Sequence, residues 1–424
     1  MIARALTIFL FCFVKAASFV ATAEDTWEVI VPAMERSSLE HVHVLKDGDI
    51  LVAGHASLTT PNFSGIWLAR YTPTGNQVWS REFIGNAHSR ASQVLVENDR
   101  IVVVGSHMVH NPFQADSSGF IAKLDLDGRI EWETWVEEDR SSVWLSKVNA
   151  LENGDFLLSG SLSKRDRSIR GAAFFSRVTA RGEIKWSLYP LPEDDYYEDL
   201  PDPKWVTRDR DGSVILRESA GPVREQTNGD IQLHIFRREF MAQYNQVGRC
   251  VVISSEGEML KEKPCARIEN FEFVSDSSLG NIEFQKVSPG VIFAKQIEVS
   301  KVGQNGDIEW SWQFQTEHKA GITDAVSVAD GGIIGVGYMI IETEPKLHRY
   351  DAVAFRLDSE GNEIWSHTYQ SNRRDIFTRV VALDEDSFII VGHTGVVAGS
   401  DWWDPWILRI GIDGDVVSQT DLIR

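Results

Sequence analysis

A chain of 424 residues with 62 acidic against 42 basic side chains has a formal net charge of −20, and so lacks the concentrated positive potential that nucleic acids and anionic lipid surfaces require. Its hydrophobic content of 43% with 25% charged residues is that of a globular protein and does not indicate disorder. The length suits two or three average domains or one large closed all-β architecture.

Residues 1–23 have the form of a secretory signal: Arg4 in the charged start, an apolar stretch from Ala5 to Val14, and the small-residue site Ala21-Thr22-Ala23 before Glu24. The stretch is too short to cross a bilayer and no other approaches the roughly 20 apolar residues a spanning helix needs, so the mature chain, 24–424, is expected to be periplasmic or secreted and not membrane-spanning. Two cysteines then remain, Cys250 and Cys265, flanking Val251-Val252-Ile253, a turn at Gly257 and Met259-Leu260. This hairpin pattern in an oxidising compartment predicts a disulfide between them.

Along the mature chain one pattern recurs: an apolar strand, a turn ending in Gly, and alternating residues ending in Trp. The first copy turns at Gly75 and reaches Trp79, the second at Gly128 and Trp132, the third at Gly182 and Trp186, and later copies turn at Gly257, Gly306, Gly361 and Gly414. Consecutive glycines lie 49 to 55 residues apart except for one interval of 75, which places an insertion of about 219–249 in the fourth unit. Before each copy a second turn leads an apolar strand, at Asp47-Gly48, Asn98-Asp99, Asn153-Gly154, Asp211-Gly212, Pro289-Gly290, Asp330-Gly331 and Glu385-Asp386. Each unit therefore reads as four antiparallel strands. Seven such units predict an all-β, seven-bladed β-propeller spanning 24–424, whose radial closure protects the sheet edges.

The Trp position is held by Trp79, Trp132, Trp186, Trp310 and Trp365, but by Lys261 in unit four and Ser418 in unit seven. Trp27-Glu28-Val29-Ile30-Val31 resembles a detached outer strand, expected to pack on the last blade and clasp the ring. Units such as Asp330-Gly331-Gly332 … Gly337 … Leu357-Asp358-Ser359-Glu360-Gly361-Asn362-Glu363-Ile364-Trp365 resemble the repeats of secreted bacterial β-propeller proteins. More distantly they are similar to the tryptophan-docking repeats of pyrroloquinoline quinone dehydrogenases and of the outer-membrane assembly propeller. Such quinone enzymes typically carry eight blades, adjacent cysteines and a calcium site; here there are seven units and the cysteines are fifteen positions apart.

No Gly-x-Ser-x-Gly elbow, His-Glu-x-x-His helix or Walker loop occurs, and no cofactor is implied. Turns such as Asp125-x-Asp127-Gly128 offer two carboxylates, short of a calcium loop. His55, His107, His110 and His393 fall at the ends of second strands without metal-ligand spacing, so no metal site is assigned. The long connections 56–64, 108–117, 162–170, 339–350 and 396–405 all belong to one end of the blades, where recognition is expected. There Asp194, Asp195, Tyr196 and Tyr197 join units three and four, and Asp401, Trp402, Trp403 and Asp404 enter unit seven. Aromatics flanked by carboxylates suit stacking on a sugar, clamping a cation or docking a protein. The reading that follows is a noncatalytic module binding a protein or glycan; the alternative is a propeller enzyme (hydrolase, lyase or quinoprotein-like) whose residues are scattered over several blades.

Overall fold

The computed structural model describes residues 26–415 apart from 34–36, 58–63, 84–87, 112–113, 165–168, 191–206, 209–213, 216–217, 227, 238–247, 265–280, 287–293, 303–307, 345–346, 370–373 and 396–402. The signal segment 1–23 lies outside them. All regular structure among the described residues is antiparallel β-sheet, apart from one short parallel pair, and it repeats as blades. Blade one is Ser38–Val44, Ile50–Ala56, Gly65–Tyr71 and Gln77–Phe83; blade two is His88–Glu97, Arg100–Asn111, Gln114–Asp125 and Ile130–Val136; blade three is Ser141–Ala150, Phe156–Lys164, Ala172–Val178 and Ile184–Leu188. Blade four is Glu218–Glu225, Ile231–Arg237, Gly248–Ile253 and Met259–Pro264. Blade five shows Asn281–Lys286, Ala294–Val302 and the start of Ile308–Ser327, a strand whose later half opens blade six, followed there by Ile333–Glu344, Leu347–Leu357 and Glu363–Tyr369. Blade seven is Ile376–Ala382, Ser387–Gly395 and Trp403–Gly411, completed by Trp27–Ile30. The architecture is an all-β propeller of seven blades.

The expected clasp is present. Trp27 lies opposite Arg409 and Ile30 opposite Trp406, so the first strand of the described chain is the outermost strand of the last blade. Two expectations change. The stretch 219–249 is not an insertion: it carries nearly all of the first strand of blade four, its second strand and the start of its third. The first turn of that blade is at Asn228-Gly229, while Asp211-Gly212 sits between Thr207–Arg208 and Val214–Ile215, two short strands of an accessory sheet. The extra residues thus precede the blade. Glu218–Glu225 was hard to read as a strand because Gly221-Pro222 interrupts it, and the register shifts there to accommodate a proline that has no N–H to donate. Likewise Pro289-Gly290 joins Asn281–Lys286 to Ala294–Val302, at the opposite end of the sheet from the other first turns.

Most turns at one end share a single geometry. At Thr72–Asn76 the Gly75 N–H bonds back to the Thr72 carbonyl and Thr72 N–H to the Asn76 carbonyl, a pattern repeated at 125–129, 179–183, 254–258 and 358–362 and in the first turns at 45–49, 151–155, 226–230 and 328–332. The glycine takes φ near +81 at Gly75 and +86 at Gly257, a region other residues enter at a cost. It is constrained a second time by its neighbour: a Cβ on Gly257 would lie 2.7 Å from the Trp186 ring, and one on Gly75 the same distance from Trp27.

These contacts form a repeating lock between blades. The Trp79 indole N–H donates to the Leu126 carbonyl of blade two, and Arg70, opposite Trp79 in its own sheet, donates to that same oxygen. Trp186 and Arg177 share the Ser255 carbonyl, Trp365 and Arg356 share that of Ile412, and Trp27 and Arg409 share that of Pro73. Each arginine is in turn gripped by a first-turn carboxylate, Asp47 and Asp49 for Arg70, Asp155 for Arg177, Asp330 for Arg356 and Asp384 for Arg409. Blade four breaks the rule at both positions, with Val252 opposite Lys261.

Two bulges recur as well. Every described first strand has one near its start, as at Leu39/His41 and Phe377/Arg379, and in blades one, two, three, six and seven a glycine of the second strand faces it: Gly54, Gly105, Gly160, Gly337 and Gly392. A Cβ at Gly54 would fall 1.9 Å from the Ser38 carbonyl oxygen. The second bulge, before each Trp, disrupts the outer strand and blunts it as a pairing edge. Apolar clusters then fill the space between neighbouring sheets, for example Leu51, Ile66, Ile101 and Phe120 between blades one and two and Val336, Phe377, Phe388 and Leu408 between six and seven.

Candidate functional site

The standardised turns lie at one end of the sheets and the second-to-third connections at the other, but two connections expected to be long loops, 108–117 and 339–350, are instead hairpins of paired strand, with Asn111 opposite Gln114 and Glu344 opposite Leu347. There Ile169–Arg170, within the connection of blade three, pairs with Val214–Ile215, which precedes blade four in the chain, in a small accessory sheet. Among the expected anchors, Asp194, Asp195, Tyr196, Tyr197, Asp401 and Trp402 lie outside the described residues. Trp403 and Asp404 are described, and both are engaged. The Trp403 ring stacks on His393 at 4.5 Å with planes 10° apart, its carbonyl accepts the Ser37 N–H, and an Asp404 carboxylate oxygen accepts the Ala33 N–H at 2.9 Å.

His393 is buried between blades seven and one, with Nδ1 3.1 Å from the Ser38 hydroxyl. Burial, helped by nearby His55, pushes it down to about 3, so it is a neutral ring. The residues just after the second-strand glycines, His55, Ser106, Ser161, Tyr338 and His393, are all placed by that bulge at the long-loop end of their blades.

Between blades one and two the chemistry is densest. Glu40 is the residue thrown out by the first bulge, and its two oxygens hold Arg90 at 3.0 and 2.7 Å. His55 Nδ1 stands 3.6 Å from the same carboxylate. Burial lowers the His55 pKa and outweighs the opposing pull of Glu40. One residue along from Arg90, the Ser89 hydroxyl meets His107 Nδ1 at 2.8 Å, and His107 rests edge-on against Trp135 at 5.2 Å. Burial holds His107 low also. Sequence reasoning singled out His55, His107 and His393 but missed Glu40, Ser89, Arg90 and Trp135; the Gly in each second strand, which marks a bulge opposite it, was the available signal.

Deeper along the innermost strands, His41 is brought to about 3 by burial and by Arg379, and Asp324 is raised by burial to about 6 although Arg379 and the Val380 N–H oppose it. Among the described residues no three of His, Cys, Asp and Glu gather as a metal site. No helix among them is long and apolar enough to cross a membrane. Cys250 is buried opposite Lys263, and Cys265 lies outside the described residues.

The fold and this face define a β-propeller clasped by its N-terminal strand and diversified at one end. No family model matches the chain, and no curated protein matches it. Among solved structures, it is similar to the β-propeller domain of the Trilobed protease from Pyrococcus furiosus, which reveals an open velcro topology, at 11% identity over 92% of this chain and 98% of that one, with a TM-score of 0.37. It is similar to the Penicillium chrysogenum alpha-L-arabinanase complexed with arabinobiose at 12% identity over 93% and 100%, TM-score 0.42, and to Drosophila Plexin A in complex with Semaphorin 1b at 7% identity over 91% and 86%, TM-score 0.41. Likeness this distant says nothing of what the chain binds.

Proposed function

We propose that the protein is a noncatalytic extracytoplasmic module that recognises a protein or glycan through its long-loop face. The observation that carries this reading is the partition of the molecule: most turns of one end repeat a single hydrogen-bond pattern and serve the interblade lock, while the other end holds the second-to-third connections, the accessory sheet and the polar cluster of blades seven, one and two. Loops on a rigid scaffold are where recognition is ordinarily built. A hydrolase or lyase would want paired carboxylates with separated proton affinities; beside Asp324 stands an arginine rather than a second carboxylate.

The test is retention of a partner by the immobilised mature protein from periplasmic or culture extract, compared between two sets of variants. Trp402→Ala with Trp403→Ala, and Asp194→Lys with Asp195→Lys, change the anchors expected from the sequence; Glu360→Lys and Arg129→Glu alter exposed turns of the standardised end. Loss confined to the first set supports the reading. Loss confined to the second set refutes it, as does turnover of a polysaccharide that Asp324→Asn abolishes.

A further inference from the structure

We infer that the wall between blades one and two, formed by Glu40, His55, Arg90, His107 and Trp135, is a binding site for a neutral, hydroxyl-rich ligand, a saccharide rather than a charged peptide or metabolite. The inference rests on the reading of the long-loop face as a recognition surface, and adds to it a place and a ligand class.

The residues form two contact groups, Glu40 with His55 and Arg90, and His107 with Ser89 and Trp135, and Ser89 and Arg90 are neighbours in one strand. Glu40 and Arg90 lie on the innermost strands of blades one and two, His55 and His107 on the second strands beside them, and Trp135 on the outermost strand of blade two. Arg90 and His107 each have one edge committed to the protein and one left over. Arg90 uses Nε and Nη2 on Glu40, which leaves Nη1, and its side chain is 67% exposed. His107 uses Nδ1 on Ser89 and its Nε2 carries no hydrogen bond among the described residues; His55 stands with Nδ1 3.6 Å from Glu40, beyond hydrogen-bond distance, and its side chain is 18% exposed. Trp135 is 36% exposed and braced from behind by Phe120 at 5.5 Å.

The class of ligand follows from charge and from hydrogen-bond inventory. Glu40 and Arg90 cancel, and both imidazoles are kept neutral, so the wall has no net charge to attract an ion; an anion would compete with Glu40 for the guanidinium, and a cation with Arg90 for the carboxylate. A hydroxyl is at once donor and acceptor, and so is the partner that a neutral imidazole, with one nitrogen of each kind across its tautomers, can satisfy either way. The guanidinium–carboxylate pair presents a donor beside acceptor lone pairs, which suits adjacent hydroxyls. A tryptophan at the outer end supplies the flat surface on which the C–H face of a sugar ring rests.

The experiment is calorimetric titration of the mature protein with a panel of neutral oligosaccharides, each paired with its uronate and amino-sugar counterpart, at 50 and 500 mM NaCl, repeated with Trp135→Ala and Arg90→Gln. Both side chains are partly exposed, and circular dichroism of each variant checks that the ring is intact. The proposal expects a neutral saccharide to bind with an affinity that changes less than twofold with salt and falls tenfold or more in each variant. Binding of charged members alone, with steep salt dependence, overturns the ligand class while leaving the long-loop reading in place. Saccharide binding that both variants retain, but Trp402→Ala and Trp403→Ala lose, overturns the location and again spares that reading. No saccharide bound, with a protein partner held through the same face, overturns the proposal; binding lost only on altering the turns of the opposite face overturns both.

Discussion

The interblade lock makes a quantitative prediction at the junction of blades three and four. Trp186 donates to the Ser255 carbonyl at 3.1 Å and lies on Gly257, whose φ is +86 and whose added Cβ would stand 2.7 Å from the ring. Trp186→Ala removes a partly buried ring and one hydrogen bond, a loss of about 3 kcal/mol, at the low end for a large aromatic because the ring keeps some exposure. Gly257→Ala costs about 1–2 kcal/mol for the left-handed backbone and roughly another 1–2 for displacing the indole. In the double variant the indole is gone and only the backbone strain remains. The two losses should therefore fall short of additive by about 1–2 kcal/mol, read from urea unfolding of the four proteins. Additivity within about 0.5 kcal/mol, the spread seen for independent sites, would refute the claim that ring and glycine constrain each other.

Other outcomes follow from the same structure. Blade four lacks both donors of the lock, so Val252→Arg with Lys261→Trp should stabilise the ring by about 1 kcal/mol and slow amide exchange in Met259–Pro264, whereas unchanged exchange would mean that seam is held by other means. His41 and His393 stay neutral when folded, with values near 3, and protonate near 6.5 when unfolded; stability is fully present above pH 6.5 and declines as pH falls toward 3, by roughly 2 kcal/mol per ring at pH 5. Asp324, raised to about 6, acts in the opposite sense, and Asp324→Asn should steepen the acid decline measured by denaturant titration. Cys250 and Cys265 are proposed to be bonded: the chain 24–424, denatured and unreduced, should take up no alkylating reagent, and two alkylated cysteines would disprove the bond.

The periodic parts of the molecule were legible because they rest on backbone requirements. Gly75, Gly128 and Gly182 need positive φ and also meet a tryptophan, so glycine and tryptophan recur together and count the blades. The clasp was legible for the same reason, since Trp27 supplies the ring that Ser418 cannot. Blade four was misread because two Asp/Asn-Gly turns, at 211–212 and 228–229, compete within one interval and the true first strand contains Gly221-Pro222. The arginines of the lock were hidden by distance in sequence: Arg70 and Leu126 are far apart along the chain, and only closure of the ring puts them within 3.1 Å. Glu40 and Arg90 were hidden likewise, in a first strand whose bulge is announced only by the glycine opposite it. Trp403 was singled out as an anchor on composition, yet what it touches, His393, comes from the neighbouring strand.

The most direct measurement is a hydroxyl-radical footprint of the chain 24–424 with and without a retained partner or saccharide. The exposed aliphatic side chains beside the turns, Ile130, Ile184 and Ile364, report on one face, and Trp135, Trp403 and Met108 on the other. Recognition through the long loops predicts protection of Trp135 and Met108, with the three isoleucines oxidised at unchanged rates. Protection of the isoleucines with Trp135 and Met108 unaffected would contradict it.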